Sequence, residues 1–407
     1  MILLRIFVPF AFGYFLSYFF RTTNALLAPS ISNDMSLSPS DIGLVTGMYF
    51  IAFASFQMPL GVLLDKFGPR KVETYLLVFA VIGSFLFATS NSFFGLLVGR
   101  ALIGLGVSAC LMAALKAYVQ FFPSSKLPLL NGLHIASGGI GAIASTYPVE
   151  LALNYTDWRG IYMVLGALTI LASIAIFAII PEKKEAKSIK PLNEQIGEIK
   201  MIFTSPNFIR VAPVSVISQS TFLAIQSLWA GLWLRDVAGL KSDIIATNLM
   251  CLAGAMVVGS IGFGVIGQKL SLLKISILKT GVIGTVVFLI IQFLIAFNWV
   301  PNVTIIWILF GFFALSASLF WAGLQELYPK ELSGRVTTSV NFLIFVGAFF
   351  FQWFIGIIIQ LFPISENGNY SQDGYQLAFL TLAILLLLSV VWYYPISGYV
   401  FRNSKKQ

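Results

Sequence analysis

Two arginines stand inside long apolar runs. Arg21 lies in Tyr14-Phe-Leu-Ser17-Tyr18-Phe-Phe-Arg21, and Arg100 heads Arg100-Ala-Leu-Ile-Gly104-Leu-Gly106. A charge in hydrocarbon costs about 3 kcal/mol or more, so it persists only with a partner or a wet cavity. At roughly 100° per residue, Tyr14, Ser17, Tyr18 and Arg21 share one helix face. A guanidinium flanked by phenols reads as part of a polar cavity, where its fork can clamp a carboxylate or phosphate. The alternative is an arginine that snorkels to the interface or pairs with a structural acid. Arg100 falls at a similar depth in a run of opposite direction. A substrate anion would complete the two cations, unless Arg100 is spent on neighbouring backbone carbonyls.

Further polar groups punctuate the second half of the chain. Gln219, Gln226 and Trp233 form a stripe with Trp229 beside it, and Asn341 and Gln352 share a helix face. Amides give oriented hydrogen bonds at lower desolvation cost than charges, although the same stripes also serve as helix–helix glue. We assign Arg21, Tyr14, Tyr18, Arg100, Gln226, Trp229 and Asn341 to substrate binding. His134, the one histidine, shares a face with Gly138, Gly141 and Ser145. It is either a satisfied structural group or a proton carrier, since its side chain switches charge near neutrality. Glu73, Glu150 and Glu326 fall near the ends of apolar runs, which leaves His134 as the candidate for proton coupling. Lys116 ends its run and is read as snorkelling, with a gating role as the alternative.

Catalysis is poorly supported. There is no second histidine or cysteine cluster for a metal, no G-x-S-x-G elbow and no G-x-x-x-x-G-K-[ST] phosphate loop. We expect no catalytic residues, no metal and no cofactor. Cys110 and Cys251 both fall in apolar runs, too few and too dry for a disulfide framework.

These side chains need elements to hold them, and the composition names the elements. Of 407 residues, 58% are hydrophobic and 10% charged, against about a quarter charged in a soluble chain. A spanning helix takes roughly 20 apolar residues, and the runs lack the period of two that a barrel needs. The fold class is an all-α membrane protein with twelve transmembrane helices in two pseudo-symmetric six-helix bundles. The spans are expected near 4–30, 40–63, 72–90, 93–119, 128–151, 160–180, 209–234, 243–266, 273–297, 303–326, 335–361 and 376–395. Ser38-Pro39-Ser40-Asp41 opens the second with a capping signature, and Ser242-Asp243 opens the eighth. A polar stretch, 182–207, divides an N-terminal bundle (1–181) from a C-terminal one (208–407), and is read as a tether with an amphipathic surface helix. No cleavable leader is expected, because the first run is too long and lacks a small-residue cleavage site.

The net charge of +9 could suggest nucleic acid, but its placement argues otherwise. With the N-terminus inside, only Arg159, Arg235 and Lys241 fall at the outer face, and Arg21 and Arg100 lie within spans. The others, among them Lys66, Arg70, Lys71, Lys126, Lys269, Lys330, Arg335, Arg402, Lys405 and Lys406, gather at the inner face. That is the positive-inside pattern. It puts both termini in the cytoplasm and the chain, as a multi-pass protein, in the inner membrane. The expected partners are a small-molecule substrate and the lipid bilayer, with no nucleic acid, and the chain is expected to be a monomer.

Between the second and third spans stands Gly61-Val-Leu-Leu-Asp65-Lys66-Phe-Gly68-Pro-Arg70-Lys71. Gly264-Val-Ile-Gly-Gln268-Lys269 repeats it weakly after the eighth span, as duplication of a six-helix unit predicts. This stretch resembles the loop between helices two and three of the major facilitator superfamily of secondary transporters. The arginine motif at 100–106, Asp157-Trp158-Arg159, Pro181-Glu182 and Pro329-Lys-Glu-Leu-Ser-Gly334-Arg335 extend the resemblance over the whole chain. It implies alternating access around a site lined mainly by spans 1, 4, 7 and 10. It also implies a gate at Gly61, Asp65 and Arg70, with Asp65 meeting the start of the eleventh helix, where the dipole favours an acid.

Arginines in spans 1 and 4 look like the organic-anion and phosphate-linked branches, although Phe20 replaces the acid often found beside the first arginine. The proline motif of drug exporters is poorly matched, since proline arrives only at Tyr147-Pro148. The reading is a secondary transporter, not an enzyme, for a small carboxylate-bearing anion, with proton-coupled import (a symporter) as its expected mode. Amino acids or peptides, siderophores, and then drug export are the alternatives, and a channel or a membrane enzyme the rivals from other classes.

Overall fold

The computed structural model describes residues 2–182, 192–299, 302–329, 332–365 and 368–393. Regular structure among them is helical throughout. Eleven helices are long and apolar enough to cross a membrane. One of them, Pro39–Thr89, is 51 residues long, and at ~1.5 Å per residue it far exceeds the ~30 Å of hydrocarbon. It breaks at Gly68, whose φ of 80° and ψ of 160° are not helical. These are the second and third spans joined end to end, so the crossings number twelve, as expected. Large apolar side chains such as Ile82, Ile174, Val258, Ile283 and Ile290 are exposed on the outside of the bundle, as a lipid-facing surface requires.

Helix starts follow local chemistry. Ser38 caps the second span in a reciprocal box: Asp41 N donates to Ser38 Oγ at 3.2 Å and Ser38 N donates to the Asp41 carboxylate at 3.0 Å. The eighth span, Ser242–Leu272, begins one residue away from its expected cap. Lys241 takes the capping position without a side-chain bond, and Ser242 Oγ instead donates to Glu150 in the other half of the chain at 2.8 Å. The polar stretch forms a helix, Leu192–Thr204, that leads into the seventh span through the Ser205 cap. Residues 183–191 of that stretch, with Lys183, Lys184, Glu185, Lys187 and Lys190, lie outside the described residues, as do Lys330, Arg402, Lys405 and Lys406.

Five spans are not continuous among the described residues. The first is Ile2–Thr22 followed by Asn24–Met35, and the fourth is Phe93–Gly106 followed by Cys110–Phe121. The seventh carries a π-helical turn at Ile225–Trp229, and the tenth a 3-10 turn at Leu315–Ala317. A break in lipid must have its backbone groups satisfied from within the protein. Neighbouring helices supply the donors: Arg100 to Phe20 O at 3.0 Å, Gln57 to Ser108 O at 3.3 Å and Gln219 to Ala314 O at 3.2 Å. The fifth is also broken, Leu127–Ala144 followed by Tyr147–Ala152; the other four, 1, 4, 7 and 10, are those that the sequence motifs imply should line a central site.

The two halves meet along the second and eleventh spans, Pro39–Thr89 on Ser333–Gln360, and along the fifth and eighth, Leu127–Ala144 on Ser242–Leu272. The end of the bundle that carries Leu192–Thr204 is called the linker face below, and the opposite end the far face.

Candidate functional site

Arg21 occupies the last turn before the break in the first span and is 5% exposed. Its guanidinium carbon lies 4.3 Å from the Tyr18 ring centroid, 5.8 Å from Tyr49, 5.5 Å from Phe53 and 5.1 Å from Phe345. The cage therefore draws on both halves: spans one and two on one side, span eleven on the other. Among the described residues no carboxylate pairs with Arg21, and its Nε has no hydrogen-bond partner. Cation–π contacts contribute about 0.5–2 kcal/mol each, but rings accept no bidentate pair, and a buried unpaired cation costs several kcal/mol. The cage orients a positive charge without neutralising it.

Arg100 has hydrogen-bond partners at one nitrogen, whereas its Nε and Nη2 are buried without one. It is fully buried, and Nη1 donates to the Phe20 carbonyl at 3.0 Å and to the Tyr162 hydroxyl at 2.9 Å. Tyr162 in turn donates to Asn24 at 2.6 Å, and Asn24 to Thr46 at 2.9 Å. The Tyr49 ring neighbours both cations, with Arg21 Cζ 5.8 Å and Arg100 Cζ 5.6 Å from its centroid and the Tyr49 hydroxyl donating to Ser17 O at 3.1 Å. Of the two alternatives for Arg100, the geometry matches the backbone-carbonyl one. It pins the residue before Arg21.

Tyr14 and Tyr18 lie on the Arg21 side as expected. Their rings meet edge to face at 5.2 Å, and Tyr14 stacks on His134 at 4.7 Å. They press on the fifth span at Gly138, where an added Cβ would lie 2.6 Å from Tyr14 and 2.7 Å from Tyr18. Both His134 nitrogens are engaged, Nδ1 with the Tyr118 hydroxyl at 3.0 Å and Nε2 with Cys110 O at 3.2 Å.

The second half contributes less directly than its stripe suggests. Trp229 is buried and donates to Gln352 O at 3.0 Å, where it packs between the halves. Gln226 bonds Met256 Sδ at 3.4 Å, and its carbonyl oxygen is buried without a partner. Both belong to the π turn of the seventh span, a distortion that recurs at functional positions. Asn341 reaches across to Gln57 at 3.4 Å.

Both routes to Arg21 are closed. Toward the linker face, Phe53 and Phe345 stack at 4.2 Å, and the Gln57–Asn341 pair lies one helical turn further along. Beyond them a cavity of about 310 Å³ opens between the halves, lined by Gln57, Asp65, Lys116, Arg335 and Ser339 among others. Toward the far face, Gly231 abuts the carbonyl of Ala25 so closely that an added Cβ would lie 1.7 Å from the oxygen.

The gate motif stands at the rim of that cavity. Gly61 and Asp65 line it, and Asp65 pairs with Lys116 of its own half, not with the eleventh span. Arg335, at the start of that span, pairs with Glu198 of the linker helix. Arg70 lies over the Phe177 ring at 4.7 Å, and Lys71 pairs with Glu182. Arg70, Lys71 and Glu182 line, with Asp65 and Lys116, a second cavity of about 380 Å³. Among the described residues no group of three His, Cys, Asp or Glu side chains could hold a metal.

Sequence reasoning missed the ring side of the cage and one acid. Tyr49 and Phe53, four apart in the second span, carry a helical-face signal that could have found them. Glu73 follows Arg70 and Lys71 so closely that it reads as a span-end residue, yet its side chain is fully buried.

Comparisons with known proteins bear on this geometry. Residues 10–352 match the family model of the Major Facilitator Superfamily. A probable sulfoacetate transporter of Cupriavidus necator is 30% identical over 158 residues, 39% of this chain and 36% of that relative. The hexuronate transporter of Escherichia coli K12 is 26% identical over 163 residues, 40% of this chain and 38% of its own length. The matched region thus spans little more than a third of these curated relatives. In fold, the chain is similar to a bacterial homologue of the human lysosomal transporter Spinster, solved in an inward-facing, unoccupied conformation. The TM-score is 0.80 at 14% identity, covering 98% of this chain and 97% of that one.

Proposed function

The chain belongs to the Major Facilitator Superfamily, and from that premise we propose that it is a secondary transporter of a small carboxylate-bearing anion, with Arg21 as its anion-binding cation. The observation that carries this reading is a buried guanidinium, caged by rings from both halves, without an acid partner among the described residues. A carboxylate would supply the bidentate partner that the rings cannot. The probable sulfoacetate and hexuronate transporters among the relatives carry names consistent with it, because both named solutes bear a carboxylate. Tyr14, Tyr18 and Gln226 shape the pocket, Asn341 with Gln57 closes it, and Arg100 and Trp229 hold its walls.

Alternating access then works on the two closures. Opening the Phe53–Phe345 stack connects Arg21 to the cavity at the linker face, and separating Ala25 from Gly231 connects it to the far face. The linker face is assigned to the cytoplasm of an inner-membrane protein because Lys66, Arg70, Lys71, Lys116, Lys126 and Arg335 gather there, whereas Arg159 and Arg235 mark the far face. Import is the direction proposed.

The reading is tested on purified protein with sulfoacetate, D-glucuronate and a set of amino acids. The organic anions should raise the melting temperature and compete with one another for binding. Stabilisation by amino acids alone would remove the anion assignment.

A further inference from the structure

Glu73 is the one acid in the described part of the first half that is wholly enclosed. Neither carboxyl oxygen touches solvent, and among the described residues their one candidate hydrogen-bond partner is the weak thiol donor of Cys110. It lies in the third span against the first and fourth: a Cβ built on Gly13 would stand 2.6 Å from Glu73 Oε1 and 3.8 Å from Cys110 Sγ. An ionised carboxylate there would be a desolvated charge with only a thiol to offset it, at a cost of several kcal/mol. A bound proton removes that charge.

The groups facing Glu73 are few. From the first span comes Tyr14, next to Gly13; from the fourth, Cys110 and Tyr118; from the fifth, His134, bonded to Cys110 O and to Tyr118. The sixth span presents Ser173, which donates to Thr74 O at 3.1 Å. On its own side, Arg70 and Lys71 turn away to Phe177 and Glu182, and Asp65 is held by Lys116. No cation faces the acid among the described residues. From this cluster an unbroken series of contacts leads to the anion cage: His134 stacks on Tyr14, Tyr14 meets Tyr18, and Tyr18 lies under Arg21.

We propose that Glu73 is the binding site of a proton that moves with the anion. The inference rests on the transport reading above. The carboxylate takes the proton when the moving halves admit water from one face, carries it as a neutral acid through the closed state, and gives it back to water at the other face. His134, already bonded at both nitrogens, orders the neighbouring backbone and hydroxyl and is not itself the carrier. This moves the coupling role from the histidine to an acid the apolar runs had concealed.

Two measurements on the full chain decide it, with Glu73→Gln as the variant. The first needs no substrate: an infrared pH titration of purified protein should contain a buried carboxylic C=O band that titrates and is absent from E73Q. The second uses vesicles loaded with a pH-sensitive dye and offered D-glucuronate or sulfoacetate. Wild type should move protons with the anion, whereas E73Q should retain anion counterflow and lose the proton signal to the level of protein-free vesicles. Identical band patterns in the two proteins, or proton movement in E73Q equal to wild type, overturns the proposal. If neither anion is moved by wild type, the anion assignment fails and the infrared titration alone decides whether Glu73 binds a proton. Should E73Q not yield folded protein, Glu73→Asp serves, with a shifted titration and an altered pH profile of transport expected and an unchanged pair overturning the proposal.

Discussion

Arg100 holds the carbonyl of Phe20 at 3.0 Å, one residue before Arg21 and two before the first helix ends at Thr22. One cation thus fixes the backbone that carries the other, and the Tyr49 ring lies within 6 Å of both guanidinium carbons. The two arginines have separate tasks, which gives them separable phenotypes.

Arg21→Gln should abolish most anion binding and leave the fold intact. The lost charged, bidentate contact corresponds to about 1.5–3 kcal/mol, or roughly a 10- to 100-fold rise in Kd. Arg21→Lys should fall between, because the ammonium keeps charge but not the fork. Binding of D-glucuronate to purified variants, with melting temperature as the control, measures both. Wild-type affinity in Arg21→Gln would end the anion-cage reading.

Arg100→Gln should behave the other way. It leaves the buried Phe20 carbonyl without its side-chain donor, at a cost of about 1–3 kcal/mol, and removes one of the two partners of the Tyr162 hydroxyl. A lowered melting temperature is the primary effect, and weaker binding follows because Arg21 loses its anchorage. Weakened binding at an unchanged melting temperature would restore Arg100 to the clamp.

The spans, their number and the presence of two related halves were legible because apolar run length reports directly on the bilayer. The helix breaks were not legible. At Thr23, Val107–Ala109 and Leu315–Ala317 they depend on donors such as Arg100, Gln57 and Gln219 that come from other helices, and no local propensity records that. Arg21 was found because charge in hydrocarbon is conspicuous from composition alone. Its ring cage was not, because aromatic residues in an apolar run look like any other lipid-compatible side chain. The burial of Glu73, a span-end residue by position, was not legible for a related reason: nearness to a polar turn predicts exposure only for an isolated helix, and here Gly13 lets the first span cover the acid. Trp229 was read as a substrate-binding side chain, and the commitment of its indole N–H to Gln352 O was not legible.

Gly231→Ala tests the far-face closure. The added methyl would meet the Ala25 carbonyl at 1.7 Å, which only separation of Asn24–Met35 from Ala230–Asp236 can relieve. Transport should be strongly reduced, with faster amide hydrogen exchange in those two segments and little change in melting temperature, since opening relieves the strain. Uptake at the wild-type rate would show that this contact is not part of the cycle.

The gate prediction follows from which partners are already taken. Asp65 and Arg335 line one cavity at the linker face, yet each is held within reach of a different mate, Asp65 by Lys116 and Arg335 by Glu198. The Asp65 carboxylate is about half exposed (54%), so its pair with Lys116 contributes at most about 1 kcal/mol and is easily exchanged. When the cavity collapses, the start of the eleventh span approaches Asp65, and Arg335 with the helix dipole offers a better site. Asp65→Asn should therefore slow turnover and leave Kd unchanged, because the closed state loses its latch while the cage around Arg21 is untouched. Lys116→Gln should act in the opposite direction, freeing Asp65 for the eleventh span and protecting the Gln57–Asn341 region in hydrogen exchange. The same response from both variants would mean that the acid and the lysine work only as a pair, and the cross-half latch would be withdrawn.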